Sequence, residues 1–259
     1  MKKVLLIIAL IATKVVAGEP DKAFHQQCLY PTVMIRDEKN GVGTGVIFRS
    51  TKTGEEYTNL VLTNDHIIGG VKADLGLGTI LFTKSFIVRI GVFKDWSTLT
   101  DYNDFVADVV GKEPTVDFAI LSFKSKTVMP VATLDQNPKL YIGDEVYRVG
   151  CGAGEFLKVD RGQVTAINSL ENMNFTAKDC IRTSVPTIMG DSGGPNFYKT
   201  KEGNYKCFGL TQSVRRIILK NEIKIKDEKP IKVPIEHVLF HVSYVIPLNR
   251  LMDLEKIKL

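Results

Sequence analysis

Two successive runs of short strands dominate the pattern of this chain. Thr32–Ile35, Gly45–Phe48, Leu60–Thr63, Phe86–Phe93, Phe105–Val110 and Phe118–Phe123 are rich in β-branched and aromatic residues and are bounded by Gly, Asp, Asn or Lys. A second series comprises Glu145–Val149, Phe156–Asp160, Gln163–Ile167, Ile181–Ser184, Asn196–Tyr198, Lys206–Gln212 and Val242–Ile246. Between them, Lys124–Pro138 is polar, carries Pro130 and Pro138, and reads as a linker. Two runs of about six strands each predict an all-β fold of two packed, six-stranded antiparallel β-barrels rather than one sandwich. Apolar Leu248, Leu251, Met252 and Leu254 predict a short C-terminal helix. Arg215–Lys232 holds seven basic and three acidic residues with interleaved isoleucines, and reads as a hairpin extension with a solvated face rather than as a site for an acidic partner.

The first residues are set apart from this pattern. A basic start at Lys2 and Lys3, an apolar stretch from Val4 to Thr13 and a small-residue exit at Ala17 have the layout of a secretory signal peptide. Cleavage after Ala17 predicts export to the periplasm or the medium, with no stable membrane anchor left behind. The expected mature units are an N-terminal barrel over 18–129 and a C-terminal barrel over 130–259. Removing Lys2, Lys3 and Lys14 takes the formal charge from +5 to +2, which argues against nucleic acid as a partner. Four cysteines remain, Cys28, Cys151, Cys180 and Cys207. An oxidising compartment allows three full pairings among them. None sits in a close CxxC pair with His, so no metal site or cofactor is expected.

The chemistry concentrates in Gly190-Asp191-Ser192-Gly193-Gly194-Pro195. Glycines on both sides of a serine give a tight turn and open its surroundings. They also allow the backbone N–H groups of Gly190 and Ser192 to converge on one small space suited to an oxyanion. A serine hydroxyl needs a base to take its proton. Of His25, His66, His237 and His241, His66 is placed best, directly after a strand and before Gly69-Gly70. The base in turn needs an orienting acid. Asp117 opens the apolar run Phe118-Ala119-Ile120-Leu121, whereas Asp101, Asp104 and Asp108 lie in more polar sequence.

Thr63-Asn64-Asp65-His66, Asp117-Phe118-Ala119-Ile120-Leu121 and Gly190–Pro195, in that order, resemble the chymotrypsin-fold (trypsin-like) serine proteases. Gly43-Thr44-Gly45-Val46-Ile47, Ile142-Gly143-Asp144-Glu145-Val146, Gly162-Gln163-Val164 and Tyr244-Val245-Ile246-Pro247 resemble the bacterial high-temperature-requirement (Deg) branch. The resemblance spans roughly Tyr30 to Met252. It implies an endopeptidase with its active site between the barrels, acting on protein or peptide substrates. Ser192 would be the nucleophile, His66 the general base and acid, and Asp117 the orienting carboxylate. The Gly190 and Ser192 N–H groups would form the oxyanion hole.

The departures are informative. Deg proteins carry a PDZ module after the protease, and none is expected in the few residues after Pro247. That branch usually has Asn where this chain has Asp191. In trypsin-type enzymes the matching Asp pairs with a new N-terminus, but no activation site is apparent near the start here. Some secreted bacterial relatives supply an Arg from the strand that opens the second barrel, which makes Arg148 the expected partner of Asp191. The family's substrate pocket would fall on Pro186, Thr187, Ile188, Met189, Gln212, Ser213 and Val214. These include no acid and no His, which disfavours Arg, Lys or Glu before the scissile bond and leaves an uncharged residue. Two other readings compete. One is an inactive binding protein on the same fold. The other is an esterase, whose chain order of Ser, acid, His this sequence does not follow.

Overall fold

The computed structural model of the protein describes residues 21–37, 42–69, 73–74, 79–80, 86–95, 98–167, 180–223 and 231–248. The proposed leader and the expected C-terminal helix, after Leu248, lie outside these residues. The first half contributes β1 (Thr32–Arg36), β2 (Val42–Thr53), β3 (Glu56–Thr63), a small ribbon of β4 (Ala73–Asp74) with β5 (Thr79–Ile80), β6 (Phe86–Phe93), β7 (Leu99–Glu113) and β8 (Phe118–Ser125). Six of these close a barrel in the order β1-β2-β3-β8-β7-β6. The second half contributes β9 (Glu145–Gly150), β10 (Lys158–Ile167), β11 (Ile181–Thr183), β12 (Pro195–Lys199), β13 (Tyr205–Ile223) and β14 (Ile231–Pro247). They close a second barrel, β10-β11-β14-β13-β12-β9. Each barrel's neighbouring strands run antiparallel.

Period-two alternation explains where the core sits. Along β3 and β8, Val61, Ala119, Leu121 and Phe123 fill the first barrel with Val33, Ile47 and Val88. The residues between them, Leu60, Leu62, Phe118 and Ile120, face outward into a cluster with Val149, Phe197, Leu210 and Ile246 of the second barrel. Both faces of β3 and β8 are thus buried, which is why Leu60–Thr63 and Phe118–Phe123 read as continuous apolar runs. The second barrel has its own filling of Val146, Val164, Ile181, Phe208 and Val245.

Three expectations need correction. Lys158 to Asp160 of the first expected strand and Gln163–Ile167 belong to a single strand, because Arg161 and Gly162 stay paired with Tyr147 and Val146 across the ladder, while Phe156 and Leu157 lie ahead of it. Strands β2 and β7 extend well beyond their apolar centres. Their added residues, such as Thr51 to Thr53 and Thr100 to Asp104, are exposed and leave no apolar signature. Lys124–Pro138 is more than a linker. Lys124 and Ser125 finish β8, and the rest is stitched to both barrels. Ala132 N–H donates to the Ile47 carbonyl (2.9 Å), Cys207 N–H to Thr133 (2.8 Å) and Asp135 N–H to Cys207 (2.8 Å). The basic segment does form a hairpin extension, with Arg215 to Ile223 of β13 paired to Leu239 to Ile231 of β14.

Ahead of β1, a short helix (Lys22–Phe24) leads into a π-helical turn (His25–Leu29). This segment straps the second barrel before the chain enters the first. Gln27 Oε1 accepts from Tyr205 N–H (2.6 Å), Asp21 Oδ2 accepts from Lys199 Nζ and Tyr205 OH (2.9 Å each), and Phe24 packs edge-on against Tyr147 and Tyr205. All four cysteines are buried free thiols. Burial pushes Cys151 and Cys180 up to about 11 and Cys207 up to about 12, which keeps them protonated and unreactive.

Candidate active site

The ladder between β3 and β8 brings His66 and Asp117 together. Thr63 pairs with Ala119, so the chain leaving β3 lies beside the chain entering β8. His66 follows Thr63 by three residues, in a 3-10 turn (Asp65–Ile67), and Asp117 precedes Ala119 by two. Asp117 closes a second 3-10 turn (Pro114–Val116) in the left-handed region, at φ 57°. That conformation is uncommon for a residue with a side chain, and it turns the carboxylate back toward His66. Two donors hold the Asp117 carbonyl in this pose, Asn64 Nδ2 at 3.0 Å and Asp65 N–H at 3.2 Å. The carboxylate accepts from His66 N–H at 2.9 Å through Oδ1, and meets His66 Nδ1 at 2.9 Å through Oδ2. An ionised carboxylate only accepts, so this contact keeps the proton on Nδ1 and leaves Nε2 with its lone pair. The imidazole is 46% exposed and the carboxylate side chain 14% exposed.

Ser192 sits in the loop before β12, on the other barrel. Gly193, at φ 79°, brings this loop against the first barrel. A Cβ there would lie 2.1 Å from the Thr44 carbonyl, 2.4 Å from Thr63 Oγ1 and 3.3 Å from Asn64 N. Only glycine fits that position. Ser192 is thereby packed beside the residues that lead into His66. Its Oγ donates to the Gln212 carbonyl at 3.2 Å, and its own carbonyl accepts from Thr44 N–H at 2.8 Å.

The preceding turn sets the direction of two N–H groups. Asp191 N–H donates to the Ile188 carbonyl (3.2 Å) across Met189 and Gly190, and Gly190 has φ 98°. This is the signature of a type II turn. The Met189 carbonyl accepts from Ala153 N–H at 2.7 Å. Because a trans peptide directs its C=O and N–H oppositely, Gly190 N–H points away from Ala153. Among the described residues, neither Gly190 N–H nor Ser192 N–H donates to another protein group. Both N–H groups lie in the segment that carries the Ser192 hydroxyl, and donors of this kind stabilise negative charge on oxygen where they converge.

Arg148 and Asp191 are both fully buried, and the guanidinium Nη1 contacts Asp191 Oδ2. Asp191 Oδ2 also accepts from Ile188 N–H (2.8 Å). Burial pushes the Asp191 carboxyl up, and Arg148 and the Ile188 N–H pull it back. Close approach by backbone completes the cradle, since a Cβ at Gly150 or Gly152 would lie 2.6 or 2.7 Å from Asp191 Oδ1. Sequence reasoning missed the third member. Nη2 of Arg148 contacts Asp160, which also meets Lys158 Nζ at 3.3 Å. The β9/β10 register places Asp160 directly opposite Arg148, so a hairpin alignment of Glu145–Gly150 with Lys158–Gln163 would have revealed it.

The expected pocket residues lie on two segments, Pro186 to Met189 ahead of the serine turn and Gln212 to Val214 in β13. Thr187 is buried and donates to the Val185 carbonyl (3.2 Å), Pro186 is half-buried, and Met189 is 81% exposed at the rim. Gln212 is half-buried, with its carbonyl on Ser192. Ser213 and Val214 pair in the ladder with Tyr244 and Ser243, and their side chains lie outside what is described.

Comparison with known proteins places this geometry among relatives. Residues 43–204 match the family model of the trypsin-like peptidase domain. The chain is 30% identical over 160 residues to a probable periplasmic serine endoprotease, DegP-like, of Pseudomonas putida. That alignment covers 62% of this chain and 27% of the relative. It is 26% identical over 155 residues to the magnetosome formation protease MamE of Paramagnetospirillum magneticum, covering 60% of this chain and 18% of the relative. The chain thus spans only about a quarter of the length of the curated relatives it matches first. Among solved structures, the HtrA-type protease AlgW with a tripeptide has the same fold, with a TM-score of 0.57 at 21% identity, covering 87% of this chain and 58% of that one.

Proposed function

Because this chain belongs to the trypsin-like peptidase family, we propose that it is a serine endopeptidase that cleaves protein or peptide substrates through an acyl-enzyme. The observation that carries this reading is the contact of His66 Nδ1 with Asp117 at 2.9 Å, beside a serine loop that offers two unused N–H groups. In the reaction, Ser192 Oγ exchanges the Gln212 carbonyl for His66 Nε2. It attacks the scissile carbonyl carbon while its proton passes to Nε2. Asp117 stabilises the imidazolium and fixes its orientation. The oxyanion lies between Gly190 and Ser192 N–H. Collapse of the tetrahedral intermediate breaks the C–N bond, and the leaving amine takes the proton from Nε2. Water, deprotonated by His66, then releases the acid and regenerates Ser192.

The Arg148–Asp191 pair shapes the serine loop without a freed N-terminus. The barrels act as the two units, 18–129 and 130–259, with the site between them. The leader-like start supports export to the periplasm or the medium, and the Pseudomonas relative is described as periplasmic. The substrate residue before the scissile bond is uncharged, because Pro186, Thr187, Met189, Gln212, Ser213 and Val214 supply no countercharge. Cleavage-site sequencing of a peptide library checks this, and cuts confined to Arg or Lys would overturn it.

The function itself is tested with a fluorophosphonate probe, followed by mass mapping. One probe per chain on the Ser192 peptide is expected. A folded protein that takes up no probe at any serine would favour the protease-fold binding protein instead.

A further inference from the structure

We infer that Thr44 is a positioning residue that sets the oxyanion loop from the opposite barrel. The inference rests on the protease reading above and extends it to a residue outside the catalytic set. Thr44 lies in β2 of the first barrel and is fully buried. All of its polar atoms are engaged, and three of its four bonds cross to the second barrel. Its N–H donates to the Ser192 carbonyl (2.8 Å). Its hydroxyl accepts from Cys151 N–H (2.9 Å) and donates to the Gly190 carbonyl (2.8 Å). Its carbonyl accepts from Thr63 Oγ1 (2.7 Å), on the strand that delivers His66.

The hydroxyl is the informative group. It can donate only one proton, and here it accepts on one side and donates on the other, which makes it a relay between two loops. One loop is Cys151–Gly154, whose Ala153 N–H holds the Met189 carbonyl. The other is the Gly190 turn itself. Thr44 therefore fixes the peptide after Gly190 at its carbonyl, and Ala153 fixes the peptide before it. Between these two anchors, Gly190 N–H has its direction set. Removing the hydroxyl leaves the buried Cys151 N–H and the half-buried Gly190 carbonyl without this partner, and the peptide after Gly190 is then held only through the Asp191 N–H bond to the Ile188 carbonyl (3.2 Å), which lets it tilt and carry Gly190 with it. The backbone bonds of Thr44 to Ser192 and Thr63 do not depend on the side chain.

Thr44→Val keeps the shape and removes the hydroxyl, and Thr44→Ser keeps the hydroxyl and removes the methyl. The measurements are single-turnover phosphonylation by the fluorophosphonate and turnover of casein, each normalised to folded protein. Loss of one oxyanion donor costs roughly 10²–10³ in turnover, so an indirect effect of about tenfold to a hundredfold is expected. Thr44→Val should lose that factor in the maximal phosphonylation rate and in kcat, with KM for casein changed less than about twofold. Thr44→Ser should restore the rate to within about threefold. An unchanged rate in Thr44→Val, a loss carried by KM, or a Thr44→Ser variant as slow as Thr44→Val would each overturn the inference. If Thr44→Val does not fold, Thr44→Ser against Thr44→Ala gives the same comparison. Failure of the protease reading is distinct, because the wild-type protein would then take up no probe.

Discussion

Ser192→Ala is expected to lower casein turnover by on the order of a millionfold, with the barrels intact. Without Oγ no acyl-enzyme forms, and His66 has no hydroxyl to deprotonate. What remains is the small acceleration of direct water attack by the oxyanion hole and by substrate positioning. Stability should barely change. The hydroxyl makes one described bond, a 3.2 Å donation to the Gln212 carbonyl, and the backbone bond to Thr44 survives the substitution. Adding His66→Ala to this variant should cost little more, because the two side chains act as one unit. Casein assays at matched urea midpoints check the result. Retention of more than about one per cent of the activity would mean that another residue is the nucleophile.

The second large effect is on stability. Arg148→Met should cost about 3–5 kcal/mol in urea unfolding, since it leaves Asp191 buried without its cation and Asp160 with only Lys158. The loss should depend on pH in a definite direction. With Arg148 gone, burial pushes the Asp191 carboxyl further up. A carboxyl whose folded pKa exceeds its unfolded value of about 3.9 keeps its stability below that value, and loses it as pH rises through the folded pKa. The deficit of Arg148→Met against the wild type should therefore be smallest near about pH 4 and grow toward neutrality. Adding Asp191→Asn should recover part of it at neutral pH. A deficit of under about 1 kcal/mol, or one that shrinks as pH rises, would show that Arg148 is not the balancing charge.

Legibility in the sequence followed the physics of burial. The barrels were readable where one or both strand faces are covered, as at Leu60–Thr63 and Phe118–Phe123. They blurred where strands run out into solvent, as at Thr51–Thr53. Ser192, His66 and Asp117 stood out because each breaks its local pattern, with a polar group at the end of an apolar strand or inside a glycine run. Arg148 was legible through the resemblance, because related proteins supply the countercharge to such an Asp from the strand that opens the second barrel. Asp160 and Thr44 stayed hidden for a different reason. Their roles depend on register and on contact across barrels, and neither leaves a trace in a linear pattern. Gln212 was read for its side chain, whereas its contact with Ser192 is made by its backbone.

The strap of Asp21 to Leu29 also orders events in time. Its partners, Lys199 and Tyr205, lie nearly 180 positions further along the chain, with separations of 178 for Asp21–Lys199 and 184 for Asp21–Tyr205. The segment that leads into the first barrel cannot find its seat until most of the second barrel has been synthesised. Ring closure over such a span is entropically slow, and contacts of this range characterise slow folders. The first barrel can close earlier on its own hairpins. Its outward face of Leu60, Leu62, Phe118 and Ile120 then waits uncovered, a window in which the half-made chain is prone to self-association. Docking of the strap and burial of that face mark the end of the window, so maturation of this protein is paced by its last third.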